Sequence, residues 1–376
     1  MEVPEFELGL ALSGGGFRAT LFHLGSLWRL NELGLLKRVN IITSVSGGSI
    51  ISGALAAAWG DLKFADRNGV KTDVAQNFQD VLVTPVWDFC SRDLDVGSFL
   101  KGIFSFNKSR ADELAERYEI FTKGKRLEDL PDDGAGPRFV FYATSLQTGS
   151  SVRFQKRRIA DYRIGEIPYP IGFPLSKAVA ASSAFPPVFS PVLFNFDVSR
   201  WKPLSGADQF SNDKLKSQLI LADGGVYDNM GLEAIWHRCK IVLVSDAGAP
   251  LGVDVSPNIA DQMGRVRDIL IEQTRELRKR ALIADFQGQR RAGTYWGITT
   301  QINDYQLQDA ITIDKPATSR LKTIATRLTA FPESDRAQLV NWGYALADAA
   351  LRKHVTQILP AGAGKPTGWP MPRYPL

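Results

Sequence analysis

The chain is poor in cysteine and histidine and carries no recognisable leader, and each shortage narrows what it can be. Its 376 residues include only 2 Cys, Cys90 and Cys239, and 3 His. Two cysteines cannot build a disulfide framework, and no CxxC or Cys/His spacing suggests a structural metal. A reducing, cytoplasmic setting is therefore expected, with no metal and no cofactor. The N-terminus, MEVPEFELGLALSGGG, lacks a basic stretch followed by an apolar run, so no secretory signal is expected. Only Ile41–Trp59 (IITSVSGGSIISGALAAAW) has the length of a membrane span. Its glycines and serines divide it at SGGS into a β-branched run and an alanine-rich helix, which argues against a span. Zinc fingers, RNP-like motifs and basic stripes with interleaved aromatics are also missing, so nucleic acid is not an expected partner.

What is present describes a folded protein: 44% hydrophobic and 23% charged residues, with a net charge of +5. The basic residues gather at Arg153–Arg158, Arg265–Arg280 and Arg290–Arg291. They fit either solvated faces or attraction to anionic lipid headgroups, and summed charge does not separate the two.

Strands and helices alternate from the start. Leu8–Ser13 reads as a buried strand and Phe17–Leu33 as a helix closed by Gly34. Val39–Val45 reads as a second buried strand, followed by a helix over Gly48–Trp59. This βαβ unit implies an α/β class, with parallel strands and helices packed on the sheet. Further along, Arg138–Leu146 and Ser151–Gln155 form a hairpin-like pair, Leu175–Ser183 a short helix, and Leu219–Leu221 and Ile241–Ser245 buried strands. Met230–Arg238 and Asn258–Gln287 read as helices, Thr294–Thr300 as a strand, and Glu333–His354 as a final amphipathic helix. With no repeat and no convincing linker, residues 1–359 are expected to form one domain. Residues 360–376, rich in Pro and Gly, should be an extended or loosely ordered tail. Asp73–Thr122 and the polar insertion Asp197–Gln218 are candidate lids.

Three motifs carry chemistry. Gly14-Gly15-Gly16, between a strand and a helix, can turn amide N–H groups and a helix N-terminus toward an anion, either a phosphate or the oxyanion of a tetrahedral intermediate. Ser46, in Ser44-Val45-Ser46-Gly47-Gly48, follows the second buried strand as a nucleophile on a sharp strand-to-helix turn does; Ser44 stands where G-x-S-x-G has its first glycine. Asp223-Gly224-Gly225 offers a carboxylate at a strand end, able to act as a base or merely to cap a turn. The histidines are poorly placed for a triad. His23 lies inside the first helix, His237 at a helix end entering a strand, and His354 in the last helix. A dinucleotide site would need G-x-G-x-x-G and an acid at the end of the second strand, and the chain has neither.

Together these motifs resemble the patatin-like phospholipases, and the wording SGGGFRA is also similar to the related cytosolic phospholipase A group. The resemblance runs through Gly14-Gly15-Gly16-Phe17-Arg18-Ala19, Ser44–Gly48, Ala178–Pro191 (AVAASSAFPPVFSP) and Asp223-Gly224-Gly225. It implies a three-layer α/β/α fold with a mainly parallel sheet, and a Ser46–Asp223 dyad without histidine. It further implies an oxyanion hole from Gly14, Gly15 and Gly16, with Arg18 orienting that loop or a substrate phosphate. The implied substrate is a phospholipid or lysophospholipid, met at the surface of an anionic membrane. A catalytically silent lipid-binding or scaffold protein on the same fold is the alternative.

Overall fold

The computed structural model describes residues 4–65, 72–92, 110–253, 255–361 and 363–376. A ten-stranded sheet runs through it. Strands β1 (Phe6–Leu12), β2 (Ile41–Ser44), β3 (Arg138–Ser145), β4 (Ser151–Gln155), β5 (Arg158–Asp161), β6 (Gly165–Pro168), β9 (Cys239–Asp246) and β10 (Ala292–Gly297) lie in the order β10-β9-β1-β2-β3-β4-β5-β6. The half from β10 to β3 is parallel throughout, and β4 to β6 continue it antiparallel. The remaining two strands, β7 (Val192–Asn195) and β8 (Gln218–Asp223), branch off, with β8 pairing antiparallel to β3.

Alternation along the strands divides the core into two layers. Leu10, Leu12, Phe139, Phe141 and Leu243 face one side, toward helices α1 (Gly16–Glu32), α2 (Gly47–Ala58), α3 (Arg110–Thr122) and α4 (Leu175–Ser182). Ala11, Val140, Tyr142, Val242 and Val244 face the other, toward Met230–Ile235 and the end of a long helix. This is the expected α/β/α arrangement, with helices on both faces of the sheet.

The branch at β3 positions the chemistry. Ser44 of β2 pairs with Phe141, and Asp223 of β8 pairs with Ala143, while β4 occupies the opposite edge of β3. Strands β2 and β8 therefore run toward each other along one edge of β3, and their carboxyl ends meet two residues apart.

Several expectations need correction. The expected helix over Met230–Arg238 shrinks to Glu233–Trp236. The Asp228 carboxylate takes the amides of Met230, Leu232 and Glu233, and Gly231 has φ +65°, so the segment is turn rather than helix. The last helix, here α7 (Glu333–His354), has the expected bounds, but it is not an amphipathic surface helix. Nearly every residue from Arg336 to Leu351 is buried. It packs along α1, where Gly25 and Gly343 let the backbones touch: a Cβ on Gly25 would strike the Val340 carbonyl, and one on Gly343 the Phe22 carbonyl.

The tail is docked instead of loose. The Asn341 carboxamide donates to the Met371 and Tyr374 carbonyls at 3.0 and 2.8 Å, and Thr312 Oγ1 donates to the Leu376 carbonyl at 2.9 Å. Trp369 and Met371 pack on the core. Of the two candidate lids, part of Asp73–Thr122 lies outside the described residues. The Asp197–Gln218 insertion is anchored by buried Trp201, whose Nε1 donates to the Lys216 carbonyl at 2.9 Å. Among the described residues no helix is long and apolar enough to cross a membrane.

Candidate active site

Ser46 occupies the turn between β2 and α2 with φ +53° and ψ −119°, a conformation side-chain-bearing residues rarely adopt. Such strain persists only when the surroundings fix it, and here they do. The Ser46 amide donates to both the carbonyl and the hydroxyl of Ser182, each at 3.1 Å. The hydroxyls beneath form a chain in which each can donate once and accept once. Ser182 meets Ser49 at 2.8 Å, Ser49 donates to Ser44 at 3.0 Å, and Ser44 donates to the Val140 carbonyl at 3.4 Å. The serine at the first position of the elbow is thus part of its support.

The same Ser182 carbonyl also accepts from Gly224 at 3.2 Å, and the Ala184 carbonyl accepts from Asp223 at 3.0 Å. The AVAASSA segment therefore ties the serine turn to the aspartate turn. Asp223 is buried at the end of β8; its Oδ1 accepts from the Gly225 amide at 2.7 Å, and its Oδ2 has no partner of full hydrogen-bond geometry. Burial pushes its carboxyl up to about 7, with the Gly225 amide and the neighbouring Ser46 hydroxyl pulling the other way. A carboxyl half-ionised near neutrality, beside a strained serine, is suited to taking and returning a proton.

Next to Ser46 the glycine loop turns at positive φ, +142° at Gly15 and +59° at Gly16. Among the described residues the amides of Gly15, Gly16 and Gly47 donate no hydrogen bond. Gly47 lies directly against Gly16: a Cβ there would strike the Gly16 carbonyl and come within 2.9 Å of its nitrogen. Loop and elbow thus leave unspent donors at the start of two helices, an arrangement suited to an oxyanion.

Residues 10–236 match the family model described as patatin-like phospholipase. The chain belongs to the patatin-like phospholipase family. Among curated proteins none matches it. Among solved structures it is similar to human GIVD cytosolic phospholipase A2 in complex with methyl gamma-linolenyl fluorophosphonate, at 15% identity and a TM-score of 0.49. That match covers 91% of this chain and 57% of the other, so the chain spans a little over half the length of that phospholipase. It is also similar to VipD from Legionella pneumophila, at 15% identity and a TM-score of 0.38, over 94% of this chain and 68% of the other. A third similar structure is ExoU from Pseudomonas aeruginosa, solved with SpcU, at 14% identity and a TM-score of 0.28, over 94% of this chain and 72% of the other.

Two motif residues of this patatin-like chain act differently from expectation. The Gly14 amide is already given to the Asn229 carbonyl at 2.9 Å, so it is not a free oxyanion donor; Gly14 instead permits close approach, since a Cβ there would lie 3.1 Å from Ser46 Cβ. Arg18 is buried, with Nε and an Nη on the Ala247 carbonyl at 3.1 and 2.9 Å and the other Nη on the Ile324 carbonyl at 2.6 Å. It orients the loops around the glycines and presents no nitrogen to a substrate phosphate.

Among the described residues the structure places no histidine as a hydrogen-bond partner of Ser46 or Asp223. Buried His23 has its pKa lowered to about 4, chiefly by burial, which its bond to Ser13 only partly offsets. It is therefore neutral: Nε2–H donates to the Ser13 carbonyl at 2.9 Å and Nδ1 accepts from the Ser245 hydroxyl at 2.8 Å, propping the start of the glycine loop. His237 stacks on Trp236 just before Cys239, which pairs with Phe6 at the start of β1. By strand rise that is roughly 20 Å from the carboxyl edge that carries Ser46. His354 packs on Tyr305.

Asn229 is the site residue that motif reading overlooked. Its Oδ1 is the nearest atom that a Cβ would meet on both Gly14 and Gly225, at 2.6 Å for the latter. Its side chain therefore rests over the glycine loop and the aspartate turn together. The available signal was the spacing Asp223-Gly-Gly-x-x-x-Asn229, which one turn of helix, Gly225–Asp228, folds back onto the site.

Proposed function

We propose that the protein is a lipid acyl hydrolase of the phospholipase A or lysophospholipase type, working through Ser46 and Asp223. The observation that carries this is the pairing of a serine held at φ +53° with a buried carboxyl whose pKa is pushed up to about 7. The Asp223 carboxylate accepts the Ser46 proton as Oγ bonds to the acyl carbonyl carbon. The resulting oxyanion is held by the amides of Gly15, Gly16 and Gly47. Collapse breaks the ester bond, and the departing alcohol, a lysophospholipid or its glycerol backbone, leaves with the proton from Asp223. Water then attacks the acyl-serine, Asp223 takes its proton, and the fatty acid is released as Ser46 is reprotonated.

The test is a serine-reactive fluorophosphonate together with a fatty-acyl ester assay. Wild type and His237→Ala label and turn over; Ser46→Ala does neither, and Asp223→Asn loses at least about a hundredfold in kcat. Activity lost equally in His237→Ala while Asp223→Asn stays active would sink the dyad.

A further inference from the structure

The longest helix among the described residues, α6 (Ile259–Gln287), has its polarity reversed over most of its length. A surface helix ordinarily buries an apolar stripe and exposes charges. Here the only buried residues are Arg275 and Leu282. The attachment to the body is mostly polar: Arg275 to Asp246 at 2.6 Å, Arg278 to the Tyr227 carbonyl at 2.7 Å, Arg267 to the Pro186 carbonyl at 2.6 Å, and Trp236 Nε1 to Asp285 at 2.8 Å. At the far end Leu282, Ile283 and Phe286 pack on the sheet, but along the earlier turns the apolar side chains point away. Ile259, Met263 and Leu270 are 76%, 71% and 63% exposed, Val266 and Leu277 are exposed with them, and Val253 just ahead of the helix is 90% exposed. At 100° per residue, positions 259, 263, 266, 270 and 277 fall in one band along the helix. A continuous stripe of this kind marks an interaction surface.

We infer that this outward face of α6, with Val253, is the surface by which the protein docks on a lipid bilayer bearing anionic headgroups. Two observations choose the bilayer over a second copy of the chain. The first is position. Arg267 sits 4.6 Å over the ring of Phe185, in the segment that ties the two catalytic turns together, and Arg278 holds the turn Gly225–Asp228 that follows Asp223. The stripe thus borders the elements that build the active site, where an acyl chain leaving a membrane would enter. The second is charge. Asp268, Glu272 and Glu276 are each paired with a cation of the same helix, whereas Arg280, about 40° round the helix from the stripe, has no acidic partner among the described residues. Unpaired arginine beside exposed aliphatic side chains suits the boundary between headgroups and acyl chains. The inference rests on the lipid-hydrolase function proposed above, which supplies the need for a bilayer.

The test separates docking from catalysis by using the full chain carrying Ser46→Ala. It is sedimented with vesicles of phosphatidylcholine and of phosphatidylcholine mixed with phosphatidylserine. Binding is expected, stronger on the mixed vesicles. Ile259→Glu/Val266→Glu/Leu270→Glu is expected to weaken it by roughly tenfold or more, while Ile313→Glu, an exposed apolar position off this helix, leaves it unchanged. In the active enzyme the triple variant should lose hydrolysis of vesicle lipid but keep hydrolysis of a soluble short-chain ester. Unchanged vesicle binding in the triple variant overturns the inference. So does a wild-type dimer in analytical ultracentrifugation that the triple variant dissolves while vesicle binding persists. Vesicle binding that follows this pattern in a protein hydrolysing neither ester leaves docking standing and removes the hydrolase function instead.

Discussion

Asp223 can act as a base only while ionised, so its raised pKa sets where activity appears. Hydrolysis of a soluble ester should climb as pH rises through about 7 and level off above it; a profile centred near 4 would show that Asp223 titrates as an ordinary carboxyl and that burial does not raise it. The same shift has a stability consequence of fixed sign. The folded pKa lies above the ordinary 3.8, so the native state keeps a proton that the unfolded chain releases. The contribution of this one group to stability is therefore greatest below about 4 and falls as pH rises toward 7. At pH 8 Asp223→Asn should be inactive yet more stable than wild type, by at most on the order of 4 kcal/mol; denaturant titration at pH 5 and pH 8 checks it. Motif order revealed Ser46, the glycine loop and Asp223. It did not reveal that Gly14 has its amide occupied, that Arg18 is spent on the Ala247 and Ile324 carbonyls, or that Asn229 leans over the site. Those facts depend on chain segments far apart in sequence, to which local spacing is blind.

At the scale of elements, hydrophobic periodicity located the strands and helices well wherever side chains decided the structure. It found the bounds of α7 and, to within one residue, those of α6, where Asn258, read as the first helical residue, is instead the N-cap and accepts from Ala260 at 2.8 Å. It misjudged what surrounds α7, which is buried, because polarity along one helix says nothing about the partner opposite. The α1–α7 contact makes a prediction of its own. Gly343→Ala places a methyl against the Phe22 carbonyl and Gly25→Ala one against Val340, and neither obstacle is a side chain that can rotate away. Each should cost about 3 kcal/mol or more in chemical denaturation. Gly60→Ala, where a Cβ meets nothing within 4 Å, serves as the neutral comparison. Equal midpoints for all three would mean the helices can part without loss.

For the whole molecule, the alternation of strands and helices identified an α/β protein, while composition misplaced its end. Pro and Gly content suggested a loose tail after residue 359, but the tail is held by the Asn341 carboxamide of α7, by Thr312 and by the packing of Trp369 and Met371. Removing residues 363–376 would leave that Asn341 group buried without its partners, at a cost of about 1–3 kcal/mol, and would strip Trp369 and Met371 from the core. A lower thermal midpoint for the shortened chain is the expected result; an unchanged one would show the tail to be dispensable.

The head-on approach of β2 and β8 along β3 also bears on how the protein is made. Ser46 emerges early from the ribosome, but the strand that brings its base emerges much later and must seat on the edge of β3 that β2 already partly occupies. On the function proposed above, a nascent or half-folded chain would hold Ser46 without its base, and hydrolysis of an acyl ester would begin only when the sheet is complete.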